Sequence, residues 1–258
     1  MHAVGGAGGV TARLRLGRAR LSSGDTPREI WALHRRLSVG DVVEATVPAP
    51  RGTSRVAPEA LAVALDLLTG GGFEVTDSAR GAGGAAVLRA IRARTLADTV
   101  APGMRLLVCG LNPSLYTADV GVPYARPGNR FWPAALAAGL VTVDRDPLHA
   151  LVAHRVGFTD QVKRATPSIA TVDVAEFRVG TARVERLVAR LEPAAVCIVG
   201  LSGWRAAVDR HAATGWQPGA FGGRPVYVMP STSGLNAHAT PADLAAHLRA
   251  AGAPPPGT

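Results

Sequence analysis

Beyond Pro102, four short apolar runs punctuate the chain: Leu106-Leu107-Val108-Cys109, Val156-Gly157-Phe158, Ala194 to Val199, and Pro225 to Met229. Each stops at a glycine or at polar residues, which predicts strands buried on both faces. Between them the apolar positions take helical spacing. Residues 129–138 predict a helix after the first strand, Val184, Leu187, Val188 and Leu191 a longer one before the third, and a helix near 203–212 follows. Thr240-Pro241-Ala242-Asp243 sets an N-cap and a first-turn proline ahead of Leu244 and Leu248. The stretch leading to Val156 reads as a polar connection. Strands alternating with helices predict an α/β fold of three layers, α/β/α, with a mainly parallel central sheet. Asn112, Asp160 and Ser231 then leave strand ends on one edge, where such sheets take ligands.

Upstream the pattern is different. Residues 1–24 are rich in Gly, Ala and Arg without sustained periodicity and predict a flexible basic arm. Ile30, Leu33 and Leu37 suit a short helix, Val42 to Val47 a strand, and Pro58 to Leu68 a helix closed by Gly70-Gly71-Gly72. Phe73-Glu74-Val75 and Ala86 to Ile91 predict two more strands. This order is similar to the last third of a class I methyltransferase, but the Gly-rich cofactor loop of such enzymes is missing. A small α/β appendage over 25–101, without methyl transfer, is therefore expected. Pro102-Gly103 marks the start of the main domain, which runs to residue 251, and 252–258 form a Pro-rich tail expected to be disordered.

Composition narrows the function classes. At 258 residues, 47% hydrophobic and 18% charged, the chain has ample length for a core. A formal charge of +9 favours a polyanionic partner or an anionic surface, although an Arg-rich, Ala-rich composition gives the same number without one. The two cysteines, Cys109 and Cys197, lie inside apolar runs and suit buried thiols in a reducing compartment. They are too few for an iron–sulfur cluster, and the seven histidines lack metal-ligand spacing, so no metal and no cofactor are expected. With no signal-peptide pattern and no long apolar span, the expectation is a cytoplasmic protein, a monomer, with no membrane association.

Gly110-Leu111-Asn112-Pro113, Pro127-Gly128-Asn129-Arg130-Phe131-Trp132, Gly157-Phe158-Thr159-Asp160 and Met229-Pro230-Ser231-Thr232-Ser233-Gly234-Leu235 carry a family resemblance. Their order and spacing are similar to those of the mismatch-specific uracil/thymine DNA glycosylases, within the uracil-DNA glycosylase superfamily. The resemblance implies a uracil-DNA glycosylase-like fold and a partner, double-stranded DNA holding a G·U or G·T mismatch. It also implies the reaction: hydrolysis of the N-glycosidic bond of a flipped-out base in base excision repair, leaving an abasic site.

Within that resemblance Asn112 stands where the family orients the attacking water; by itself it also suits a turn residue before Pro113. An amide holds water without accepting its proton, so the carboxylate of Asp160 is the sharper candidate, as base or as stabiliser of the cationic sugar. An N-cap, or an ion pair with Lys163 or Arg164, is the alternative reading of Asp160. Tyr124 falls where the family stacks an aromatic ring on the base. Backbone N–H groups near Leu111 and Tyr124 are candidates to bind base carbonyls, while Phe131 and Trp132 read as core. Ser231 replaces an amide found in uracil-preferring relatives, which leaves the preferred base open. The loop that follows resembles a duplex-invading wedge, with Gly234 permitting close approach, Leu235 filling the vacated space and backbone groups around Asn236 facing the orphaned guanine; a capping contact is the alternative reading of Leu235. Arg126, Lys163 and Arg164 flank these loops as phosphate contacts or as a solvated face.

Two other classes compete. A non-catalytic mismatch-binding module would keep the wedge and lose the chemistry. A nucleotide-binding α/β domain lacks its phosphate loop here, since no Gly-x-x-x-x-Gly-Lys-Ser/Thr opens a helix.

Overall fold

A computed structural model of the chain describes residues 9–254. It divides into two units, Met1–Ala93 and Arg94–Thr258, so the division precedes the expected boundary at Pro102-Gly103. The reason is local. Thr99 exchanges backbone hydrogen bonds of 2.8 and 2.9 Å with Phe158, and Val100 is buried in the second unit's core.

The first unit contains β1 (Val10–Arg15), α1 (Arg18–Ser22), α2 (Thr26–Arg36), β2 (Val42–Val47), α3 (Pro58–Gly70), β3 (Phe73–Arg80) and β4 (Ala86–Arg92). Its sheet runs β1-β2-β4-β3, with β1 and β2 parallel and the other pairs antiparallel. Leu16, Ile30, Val43, Leu68 and Leu88 form its core. Strand β1 and helix α1 correct the expectation of a flexible arm. Ala12 and Leu14 pack inward while Arg13 and Arg15 face out, a two-residue period that arginine-rich composition conceals. Residues 1–8, and 255–258 of the expected tail, lie outside the described residues.

The second unit carries β5 (Leu106–Gly110), α4 (Leu115–Val120), α5 (Phe131–Ala137), α6 (Pro147–His154), β6 (Val156–Asp160), α7 (Val174–Leu191), β7 (Val196–Val199), α8 (Leu201–Ala207), β8 (Gly215–Trp216), β9 (Val226–Met229) and α9 (Pro241–Ala251). The sheet order is β6-β5-β7-β9-β8, parallel except for the short edge pair β8–β9. The apolar runs are explained by their alternation. Leu106, Val108, Cys197, Val199, Tyr227 and Met229 pack with α5 and α9, and the intervening Leu107, Cys109, Val196, Ile198, Val226 and Val228 pack with α7 and α8. Both faces of the sheet are therefore covered, giving the expected three-layer α/β/α arrangement.

Helix α6 replaces the expected polar connection. Asp146 caps it by accepting from His149 N–H at 2.8 Å, with Pro147 in the first turn, so a cap and a proline start a helix too short for its periodicity to register. Helix α9 has the expected cap: Thr240 and Asp243 form a reciprocal capping box. Among the described residues no helix is long and apolar enough to cross a membrane.

Candidate active site

The parallel register of β5 and β6 sets Gly110 directly beside Asp160 at the carboxyl edge of the sheet. A cavity of about 430 Å³ opens there, lined among others by Gly110, Leu111, Asn112, Tyr124, Asp160 and Ser231. Three loops, following β5, β6 and β9, thus bring together polar residues that are far apart in sequence.

Asp160 is 7% exposed, and its Oδ2 has no hydrogen-bond partner among the described residues. Burial pushes its pKa from 3.8 to about 6; Lys163 and Arg183 oppose the rise and Asp98 adds to it. Neither alternative reading of Asp160 holds. The ion pair expected with Lys163 goes instead to Asp98, at 2.8 Å, and Arg164 forks onto Glu176 at 2.6 and 2.8 Å. Asp160 caps no helix; Arg183 reaches only its main-chain carbonyl, at 2.9 Å.

Asn112 is fixed by its amide nitrogen, which donates to Thr166 Oγ1 at 2.7 Å and to the Arg164 carbonyl at 3.1 Å. That engagement leaves Asn112 Oδ1 as the acceptor end of the amide at a cavity wall. Tyr124 adopts a left-handed backbone, φ 56°, and stacks one ring face on Phe131 with centroids 4.2 Å apart. Its hydroxyl is buried beside Gly110 and Asp160 without a partner among the described residues, and burial together with the Asp160 charge pushes its pKa well above 10. Phe131 and Trp132 are core residues.

The loop after β9 is built on its own backbone. Ser231 Oγ accepts from Ser233 N–H at 3.3 Å, and the Asn236 side-chain amide donates to the Ser231 carbonyl at 2.8 Å. The Asn236 side chain is therefore folded into the loop. Gly234 packs on the neighbouring loop so closely that a Cβ would lie 2.8 Å from the Gly128 carbonyl oxygen. Leu235 stands at the cavity rim, 87% exposed.

The expected phosphate contacts separate. Arg126 is exposed and lines the cavity. Lys163 is corrected: its side chain is 10% exposed and is spent on buried Asp98, so its ammonium is turned inward. Arg164 is half exposed but held by Glu176 and the Thr171 carbonyl. Sequence reasoning missed Asp98, Arg183 and Arg130. Asp98 accepts from Thr159 at 2.7 Å and from Lys163 and Arg183 at 2.8 Å each. Burial works against its charge, yet the two cations hold its pKa below the usual value. This triad lies just behind Asp160.

The model of the uracil DNA glycosylase superfamily matches residues 97–251, a span that contains Asn112, Tyr124, Asp160, Ser231 and Leu235 of the cavity.

Proposed function

The chain belongs to the uracil DNA glycosylase superfamily, and from that premise we propose that it is a monofunctional glycosylase of the mismatch-specific branch. Membership implies DNA glycosylase activity on uracil. The finer reading adds uracil opposite guanine as preferred substrate, with thymine or another damaged pyrimidine in the same mispair as the next candidates. The mismatch branch is supported by the Met-Pro-Ser-x-Ser-Gly form of the loop after β9, which resembles the thymine branch more than the uracil-preferring one and keeps thymine beside uracil as a candidate base.

One observation carries the reading: a buried carboxyl, Asp160, whose Oδ2 has no partner among the described residues, and a fixed amide, Asn112, share one cavity whose rim bears the exposed Leu235. In the proposed reaction Leu235 enters the duplex as the target nucleotide swings out, and the base enters the cavity beside Tyr124. Asn112 Oδ1 accepts one hydrogen of a water and aims its oxygen at the sugar carbon. The glycosidic bond breaks with its electron pair going to the base, and the water oxygen bonds to the cationic sugar. Asp160, ionised at neutral pH, stabilises that cation and takes the water's proton. The base leaves as its anion and is neutralised by a proton from solvent as Asp160 gives its own back, so the products are the free base and an abasic site; no metal and no cofactor enter any step. Arg126 is the proposed phosphate contact at the cavity rim. The first unit is proposed as an appendage without methyl transfer.

The test is base release from matched duplexes carrying G·U, G·T and A·U. Faster release from G·U than from A·U supports the mismatch branch. Equal rates make the protein a general uracil glycosylase, and tight mismatch binding without release makes it a binding module.

A further inference from the structure

The loop that carries Leu235 is long, polar and glycine-containing, and its internal bonds span only two to five residues each. Asn236 N–H donates to the Ser233 carbonyl at 3.0 Å, Leu235 N–H to Ser233 Oγ at 3.3 Å, and His238 N–H to Asn236 Oδ1 at 3.1 Å. Turns of this kind tie the loop only to itself and leave the position of its tip undetermined.

Arg130 supplies what is missing. One guanidinium nitrogen donates to the Ala239 carbonyl at 2.6 Å, and the other to the carbonyls of Ser233 at 3.0 Å and Asn236 at 2.6 Å. Its own backbone N–H donates to the Thr232 carbonyl at 2.9 Å. Four carbonyls before, beside and after Leu235 are thus held by one residue. A guanidinium offers five N–H donors in a rigid plane, so one stem reaches acceptors in several directions at once. Arg130 Nε is buried without a partner among the described residues, so the group sits inside protein rather than in solvent. It opens α5, whose next residues, Phe131 and Trp132, are core, so the anchor is rigid. The Gly234 contact with Gly128 closes the same two loops a second time.

We propose that Arg130 is a positioning residue that holds Leu235 in its duplex-entering posture, so that strand entry is not charged with ordering the loop. The assignment rests on Leu235 acting as the wedge. Arg130 touches neither base nor sugar and acts through Leu235 alone.

The experiment is single-turnover uracil release from a G·U duplex by wild type, Arg130→Ala, Arg130→Lys, Leu235→Ala and the double variant, with hydrogen exchange of the 233–238 amides alongside. Arg130→Ala and Leu235→Ala should each slow release by about 10-fold or more, and the double variant should be within about 2-fold of the slower single, because coupled sites do not add. Arg130→Lys keeps the charge but loses the fork; it should fall between wild type and Arg130→Ala, and it carries the test if Arg130→Ala does not fold. Loop amides should exchange faster in the Arg130 variants while those of α9 and β9 do not. Losses that multiply, or a wild-type rate for Arg130→Ala while Leu235→Ala is slow, overturn the proposal alone. A wild-type rate for Leu235→Ala overturns the wedge reading and the proposal with it.

Discussion

The Asp160 carboxyl and the Tyr124 hydroxyl converge on Gly110: a Cβ built there would fall against Asp160 Oδ1 and lie 3.2 Å from Tyr124 Oη. The glycine at the end of β5 is therefore the gap that lets a carboxylate from β6 and a phenol from the following loop share one corner of the cavity.

Filling that gap should disable the site without unfolding the chain. Gly110→Ala is expected to displace Asp160 and to slow uracil release about as much as loss of the carboxylate itself, by about 100-fold or more. Release kinetics beside a thermal melt check this; a wild-type rate in a folded Gly110→Ala protein would show that Asp160 does not act from its observed position.

The rate should follow the ionisation of Asp160. Its pKa near 6 leaves it protonated in mild acid and charged at neutral pH. A carboxylate that stabilises a cation and takes a proton works in the charged form, so single-turnover release should rise with pH and level off above a midpoint near 6. In Asp160→Asn that inflection should vanish from the residual rate.

The same shift predicts a stability trade-off. Folding raises the Asp160 pKa from 3.8 to about 6, so the folded state holds this proton more tightly than the unfolded one. The contribution is fully present below the unfolded value and is lost as pH rises through the folded one. At 1.36 kcal/mol per pH unit, the buried charge costs about 3 kcal/mol near pH 7.5. Asp160→Asn should therefore be more stable than wild type in urea at pH 7.5 and gain nothing at pH 3, below both values.

The triad behind Asp160 should be costly to break. Arg183→Met leaves Asp98 buried with Lys163 alone, and removing one partner of a buried pair costs about 3–5 kcal/mol. Denaturant midpoints read the loss directly. A change below about 1 kcal/mol would mean that Asp98 is held without Arg183.

Much of this was legible in the sequence wherever a single period governed the pattern. The strands of the second unit, helix α7 and the α9 cap follow from apolar runs, helical spacing and a Thr-Pro start. Strand β1 was hidden because its outward positions are arginines and its inward ones, Ala12 and Leu14, are small or isolated. Helices α4 and α6 escaped because six to eight residues hold barely two turns. At the candidate site the strand ends announced Asn112 and Asp160, but partnership did not show. Lys163 looks like a surface cation until Asp98, 65 positions away, is seen to claim it. Arg130 sat inside a recognised motif, yet its carbonyl partners lie more than a hundred residues downstream.

The most direct test of the central claim is uracil release from a G·U duplex under single turnover by wild type, Asn112→Ala and Asp160→Asn, with duplex binding measured on the same proteins. Release by wild type, slowed about 100-fold or more in both variants while binding persists, is the predicted result. Wild-type rates in both variants, or no release by wild type despite tight binding, would contradict it.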